Sequence, residues 1–176
     1  SPVDGVGYLR GSADGERIAI ANSLSNNVEL YEFDNSTGIL TFQLVIPSNN
    51  GPYGVEFSPN SNIVYISDWT GANVLQYNLL AGSSQDIIDS ELLLGSGGIG
   101  GALQLAPDNK IYQAVFGVTT LPVINNPDII GLGCNYNING AFLGGQTSEH
   151  GLPTLYSSIF LSNTVDVINL CYGDST

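Results

Sequence analysis

The strongest constraint on this chain is a pattern that occurs three times in the same order. The first copy is Tyr8-Leu9-Arg10-Gly11-Ser12-Ala13-Asp14-Gly15, followed by the apolar run Ile18-Ala19-Ile20-Ala21. The second is Val55-Glu56-Phe57-Ser58-Pro59-Asn60-Ser61, followed by Ile63-Val64-Tyr65-Ile66. The third is Leu103-Gln104-Leu105-Ala106-Pro107-Asp108-Asn109, followed by Ile111-Tyr112-Gln113-Ala114. Asp14, Asn60 and Asp108 are 46 and 48 residues apart. A strand, a tight turn and a second strand, repeated at this period, mark the blades of a β-propeller.

The rest of each unit reads as further strands. Val28-Glu29-Leu30-Tyr31-Glu32-Phe33 alternates with period two, and the turn residues Asp34-Asn35-Ser36-Thr37-Gly38 end it. The first unit holds strands near 6–11, 17–22, 27–33 and 39–46, and the second near 53–58, 63–67, 73–79 and 87–94. The segment 87–94 is apolar enough for a helix, but its place in the repeat favours an outer strand. The third unit gives strands near 102–106, 110–115 and 121–124, then an irregular insert over 125–131 before Cys134-Asn135-Tyr136. The expected fold is all-β: antiparallel four-stranded blades at about 6–50, 51–98 and 99–146, and a partial blade over 147–170 with strands near 155–161 and 164–170. Residues 171–176 read as a linker or the start of a following module. Propellers close with four to eight blades, so this is an incomplete ring that needs further blades or another chain.

Composition excludes some functions. Arg10, Arg17 and Lys110 stand against 16 carboxylates, giving a formal charge of −13. Phosphate binding needs clustered cations, so nucleic acid is excluded as a partner. An anionic membrane surface is disfavoured for the same reason, and no apolar run is long enough for insertion. An acidic, Lys-poor, Asn- and Gly-rich chain fits an extracellular location better than the alternative of drift toward acidity. The start, Ser1-Pro2-Val3-Asp4, has no signal-peptide pattern, which leaves open a processed leader or a segment of a longer chain.

Candidate chemistry is sparse. His150 is the single histidine and stands beside Glu149, a pairing able to do acid–base work, although a loop histidine is more often solvated. Gly95 to Gly101 has no lysine and no following helix to make it a phosphate loop, and reads as an interblade link. Asp14, Asn60 and Asp108 suit a turn role better than calcium, which would need ligands from several loops. Asp68-Trp69 resembles the WD dipeptide of propellers but sits at a strand end, with Thr70-Gly71 after it; Trp69 packs between blades or offers a ring face to sugars. Asp68, Trp69, Glu149 and His150 are the candidate ligand-binding residues. Cys134 and Cys171 pair with each other or remain two buried thiols. No metal or cofactor set is apparent, calcium remaining the one open case. With no nucleophile–base pair, the expectation is a non-enzyme.

Several motifs resemble one family. Gly51-Pro52-Tyr53-Gly54-Val55-Glu56-Phe57-Ser58-Pro59-Asn60 is similar to the propeller regions, with WD40- or YVTN-like repeats, of large Bacteroidetes surface and gliding-motility-associated proteins exported by type IX secretion. Val28 to Asp34, Ser67-Asp68-Trp69, Leu121 to Pro127, Gly133 to Tyr136 and Gly151-Leu152-Pro153 follow in the order seen there. Ser12-Ala13 departs from the usual Ser-Pro. The resemblance implies a secreted scaffold or adhesin that presents loops to a protein or glycan. It also implies that Cys171 begins a following module and finds its partner there. The rival expectation is a propeller hydrolase of the lactonase kind, with a metal held by acidic residues in the central channel.

Overall fold

The computed structural model describes residues 6–48, 50–96 and 98–153. Twelve strands form three four-stranded sheets in the described residues, and every pairing is antiparallel. Sheet one is β1 (Leu9–Gly11), β2 (Arg17–Asn22), β3 (Asn27–Asp34) and β4 (Ile39–Pro47). Sheet two is β5 (Pro52–Phe57), β6 (Ile63–Asp68), β7 (Val74–Asn78) and β8 (Leu92–Gly95), with a short helix α1 (Ser84–Asp89) before β8. Sheet three is β9 (Gly100–Leu105), β10 (Ile111–Val115), β11 (Thr120–Ile124) and β12 (Tyr136–Phe142). In each sheet the strands lie in chain order.

The period-two pattern explains the stacking. Ala19, Ala21, Val28, Leu30, Leu44 and Ile46 share one face of sheet one and pack on Val55, Phe57, Val64 and Ile66 of sheet two. Ile63 and Tyr65, which alternate with Val64 and Ile66, turn the other way and pack with Leu103, Ile111 and Ile124 of sheet three. Every residue of β6 is therefore buried. A strand covered on both faces reads as a continuous apolar run, as Ile63-Val64-Tyr65-Ile66 does.

Asp14, Asn60 and Asp108 occupy equivalent turns, between the first two strands of each sheet. The turns close through Gly15 N–H to Ser12 O (3.0 Å), Ser61 N–H to Ser58 O (2.9 Å) and Asn109 N–H to Ala106 O (2.9 Å). Each side-chain oxygen accepts the amide two residues on, at 3.0 Å from Glu16, 3.0 Å from Asn62 and 3.2 Å from Lys110. This is the Asx-turn device. The turns also link the blades: Ser61 Oγ accepts the Asp14 amide, and Asp128 accepts that of Asn60.

One expectation needs correction. Residues 87–89 of the expected outer strand are helical, because Ser83 and Asp86 form a reciprocal capping box that starts α1 at Ser84; the strand begins only at Leu92. Sheet three is completed by a fourth strand, β12, as the four-stranded blade expected over 99–146 requires, although its bounds are not marked in the sequence. Between β11 and β12 the insert folds back on sheet two: the Tyr65 hydroxyl donates to Pro127 O at 2.8 Å, and Gln76 donates to Ile129 O and accepts from the Gly131 amide. The strands expected at 155–161 and 164–170, most of the partial blade and Cys171 lie outside the described residues. Cys134 is fully buried in the core between sheets two and three.

The outer face of sheet one carries Leu9, Phe42 and Val45, which are 56%, 56% and 39% exposed. On sheet three an apolar hollow of about 420 Å³ is lined by Ala106, Pro107, Tyr112, Leu121, Leu152 and Pro153. Apolar faces of this kind associate. The 176-residue chain is expected to sediment as a concentration-dependent oligomer in analytical ultracentrifugation; a clean monomer across the concentration range would show that these faces are covered from within.

Candidate functional site

Because neighbouring strands are antiparallel, the connections of each sheet alternate between its two ends. The Asx turns lie at one end. The β2–β3, β6–β7 and β10–β11 loops and the links between sheets lie at the other. The first strands of the three sheets converge: the Tyr8 amide donates to Tyr53 O at 2.9 Å, and Arg10 reaches from β1 to Gln104 on β9.

Four residues before each Asx turn stands one polar residue: Arg10, Glu56 and Gln104. These equivalent positions meet. Arg10 Nη2 donates to Gln104 Oε1 at 2.9 Å and to Leu103 O at 3.4 Å. Arg10 Nε lies 3.3 Å from Glu56 Oε2, an ion pair off the hydrogen-bond line, so Nε itself has no hydrogen-bond partner. Glu56 accepts the Phe57 amide on Oε1 and the Leu105 amide on Oε2, both at 3.0 Å. Burial pushes the Glu56 carboxyl above its ordinary range; the two amides and Arg10 oppose this without cancelling it.

From Arg10 a run of rings leads outward. The guanidinium carbon sits 5.1 Å from the centre of the Tyr8 ring. Tyr8 meets Tyr53 edge-on at 5.4 Å, and Tyr53 meets Trp69 at 5.1 Å. Trp69 stacks on His150 at 4.5 Å, and Phe116 also stacks on His150, at 5.1 Å and only 13° from parallel. Trp69 and Phe116 follow the second strands of sheets two and three, so the repeat places both at the same end of the blades. His150 lies on the segment after sheet three, whose carbonyl accepts the Ala102 amide at 2.8 Å.

Of the four residues expected to bind a ligand, Trp69 and His150 stack together. Asp68 is fully buried between its own loop and the link from sheet one, accepting from Asn73 Nδ2 and Ser48 Oγ, both at 3.1 Å; burial raises its carboxyl. Glu149 is exposed, and the buried His150 Nδ1 has no hydrogen-bond partner, so the carboxylate does not orient that nitrogen. Among the described residues no group of three or more His, Cys, Asp or Glu could hold a metal ion. Arg10, Glu56, Gln104 and Phe116 were missed in the sequence. The signal was there: one polar residue recurs at a fixed offset from each turn, on otherwise apolar strands.

No family model matches the chain, and no curated protein does. Solved structures do. A functionally unknown protein from Desulfotomaculum acetoxidans aligns with a TM-score of 0.56 at 19% identity, over 78% of this chain and 42% of its own. A candidate 6-phosphogluconolactonase from Bacteroides uniformis aligns at 0.54 and 17%, over 77% and 41%. A catalytically inactive virginiamycin B lyase from Staphylococcus aureus, crystallised with quinupristin, aligns at 0.53 and 14%, over 78% and 41%. The three sheets are blades of a β-propeller. The chain spans about two-fifths of the length of these propellers.

This overturns the expectation of a non-enzyme. Structures sharing the propeller fold are named for lactonase and lyase activities, so the missing local signature is no argument against catalysis. The physical reason is the architecture. Groups delivered one per blade meet in space while standing nearly fifty residues apart, and they leave no compact motif. No helix among the described residues is long and apolar enough to cross a membrane.

Proposed function

We propose that this chain forms part of a propeller hydrolase of the lactonase kind, acting on a small cyclic ester where the first strands of the three blades converge. The observation that carries the reading is the convergence of Arg10, Glu56 and Gln104 from equivalent positions on three blades. An ion pair held in place by backbone amides is preorganised, and a preorganised cation stabilises the charge that develops on a carbonyl oxygen. Arg10 spends Nη2 and Nε inside the network, while Nη1 makes no hydrogen bond among the described residues. Nη1 is the donor offered to the ester carbonyl. Glu56 and Gln104 fix the direction of the fork. The ring of Tyr8 beside Arg10, with Tyr53 packed against it, supplies a wall of low polarity, which strengthens that interaction.

A metal-centred version of this chemistry does not fit the described residues. Their converging strands bring one carboxylate, Glu56, to the network, and a cation already faces it. An anionic or carbonyl-bearing ligand matches Arg10 better than a divalent ion would.

The test is hydrolysis of a panel of five- and six-membered lactones, followed by acid release. Arg10→Lys keeps the charge but loses the fork, and is expected to lower kcat/KM roughly 100-fold, the scale of a lost oxyanion donor. Absence of turnover on every lactone would overturn the reading.

A further inference from the structure

We infer that the face of sheet three bearing Tyr112 and Leu121 is the docking surface for residues 154–161 of this same chain, which enter there as the first strand of a fourth blade. In the register of the sheets, Arg10 pairs with Ala19, Glu56 with Tyr65 and Gln104 with Tyr112. Ala19 packs toward sheet two and Tyr65 toward sheet three. Tyr112 is their equivalent, so its face is the one that in the other two sheets meets the next blade. There Tyr112 and Leu121 line the apolar hollow of about 420 Å³, together with Leu152 and Pro153.

The chain already leads onto this face. Neighbouring first strands touch through one repeated contact. The Tyr8 amide donates to Tyr53 O at 2.9 Å, the Ser67 hydroxyl relays the same link from the Gly54 amide to Gly101 O, and the Ala102 amide donates to His150 O at 2.8 Å. Glu56 and Gln104 each stand three residues after the accepting residue, Tyr53 or Gly101. By the same count from His150, Pro153 takes that place in the blade that follows, and the hollow agrees, because Gln104 and Pro153 both line it. Past Pro153 the chain reads Thr154-Leu155-Tyr156-Ser157-Ser158-Ile159-Phe160-Leu161, and no residue from 151 to 165 is charged, in a chain of formal charge −13. Such a stretch enters an apolar hollow without the cost of burying a charge. At about 3.3 Å per extended residue, 154–161 spans about 26 Å, enough to run the length of β9. A second copy of the chain would have to seat where Leu152 and Pro153 already enter. Docking of 154–161 shields the Gln104 side of the Arg10 network from water, and leaves the outer face of sheet one as the surface through which copies associate.

Amide hydrogen exchange of the intact chain, read by mass spectrometry at several protein concentrations, tests this. The amides of 155–161 are expected to exchange at least 10-fold more slowly than those of a free peptide of the same sequence, at every concentration. Leu121→Asp puts a charge into the hollow; it is expected to restore peptide-like exchange at 155–161 while β2 of sheet one stays protected. Should that variant unfold, Tyr112→Ala removes one ring from the same face and is expected to speed exchange at 155–161 several-fold. Peptide-like exchange of 155–161 in the wild-type chain overturns the inference. Protection that appears only as concentration rises also overturns it, because a second copy is then the occupant. Protection that neither variant alters overturns it as well, because the segment then docks elsewhere.

Discussion

Arg10→Ala is expected to destabilise the protein by about 3 to 5 kcal/mol, the cost of stranding a buried carboxylate. Glu56 is 5% exposed and keeps two amide donors, but loses the one cation that faces it among the described residues. The sign with pH follows from the direction of its shift. Burial raises the Glu56 carboxyl in the folded state. The folded protein therefore binds this proton more readily than the unfolded chain, and stability falls as pH rises from the ordinary carboxylate range through the raised folded value. Without Arg10 the folded value moves further up. The deficit of Arg10→Ala against wild type should be largest at neutral pH and shrink on acidification. Arg10→Met combined with Glu56→Leu should recover most of it, because an apolar pair needs no compensation. Urea denaturation of the three proteins at two pH values decides the matter. A deficit below about 1 kcal/mol, the scale of an exposed ion pair, or one independent of pH, would show that the pair is solvated.

Much of the architecture was legible because local chemistry and the repeat agree. The Asx turns are marked by Asp14, Asn60 and Asp108, and the strands on either side by alternation. One element escaped, and one was expected without bounds, for different reasons. Ser83 and Asp86 carry a capping-box pattern that local reading would take as a helix start, but the repeat argued for a strand, and the local signal won. The strand β12 contains Asn137, Asn139 and Gly140, all poor strand formers. It exists because β11 offers an edge, pairing Leu121 with Ala141 and Ile124 with Tyr136. The site was half legible. Trp69 and His150 stood out as the single residues of their kinds. Phe116 did not, because its importance comes from occupying the same place in sheet three that Trp69 holds in sheet two. Arg10, Glu56 and Gln104 looked like unrelated residues until the strands that carry them were brought together.

Gly54→Ala is expected to cost about 3 kcal/mol, the upper range of overpacking, because of where β5 meets β9. A Cβ on Gly54 would fall 2.6 Å from Gly101 O and 2.8 Å from Leu103 N, and 2.5 Å from Ser67 Oγ. Two of these are backbone atoms of the next blade, which cannot swing aside as a side-chain end can. The Ser67 hydroxyl also bridges the blades, donating to Gly101 O at 2.5 Å and accepting the Gly54 amide at 3.1 Å. Adding one methyl group therefore forces β9 away from β5 and weakens that bridge. It also moves Leu103 and Gln104 relative to Glu56, so Arg10 loses its geometry together with the packing. Gly117 is the control: its φ of +78° strains any other residue, but nothing lies within 4 Å of an added Cβ. Gly117→Ala should cost only about 1 to 2 kcal/mol, the left-handed penalty alone. Thermal and urea melts of both variants, read beside the kcat/KM of each, separate the two causes. Gly54→Ala must lose both stability and turnover, and Gly117→Ala must lose less of both. Equal melting of the two variants would mean that the first strands of sheets two and three do not approach as closely as described.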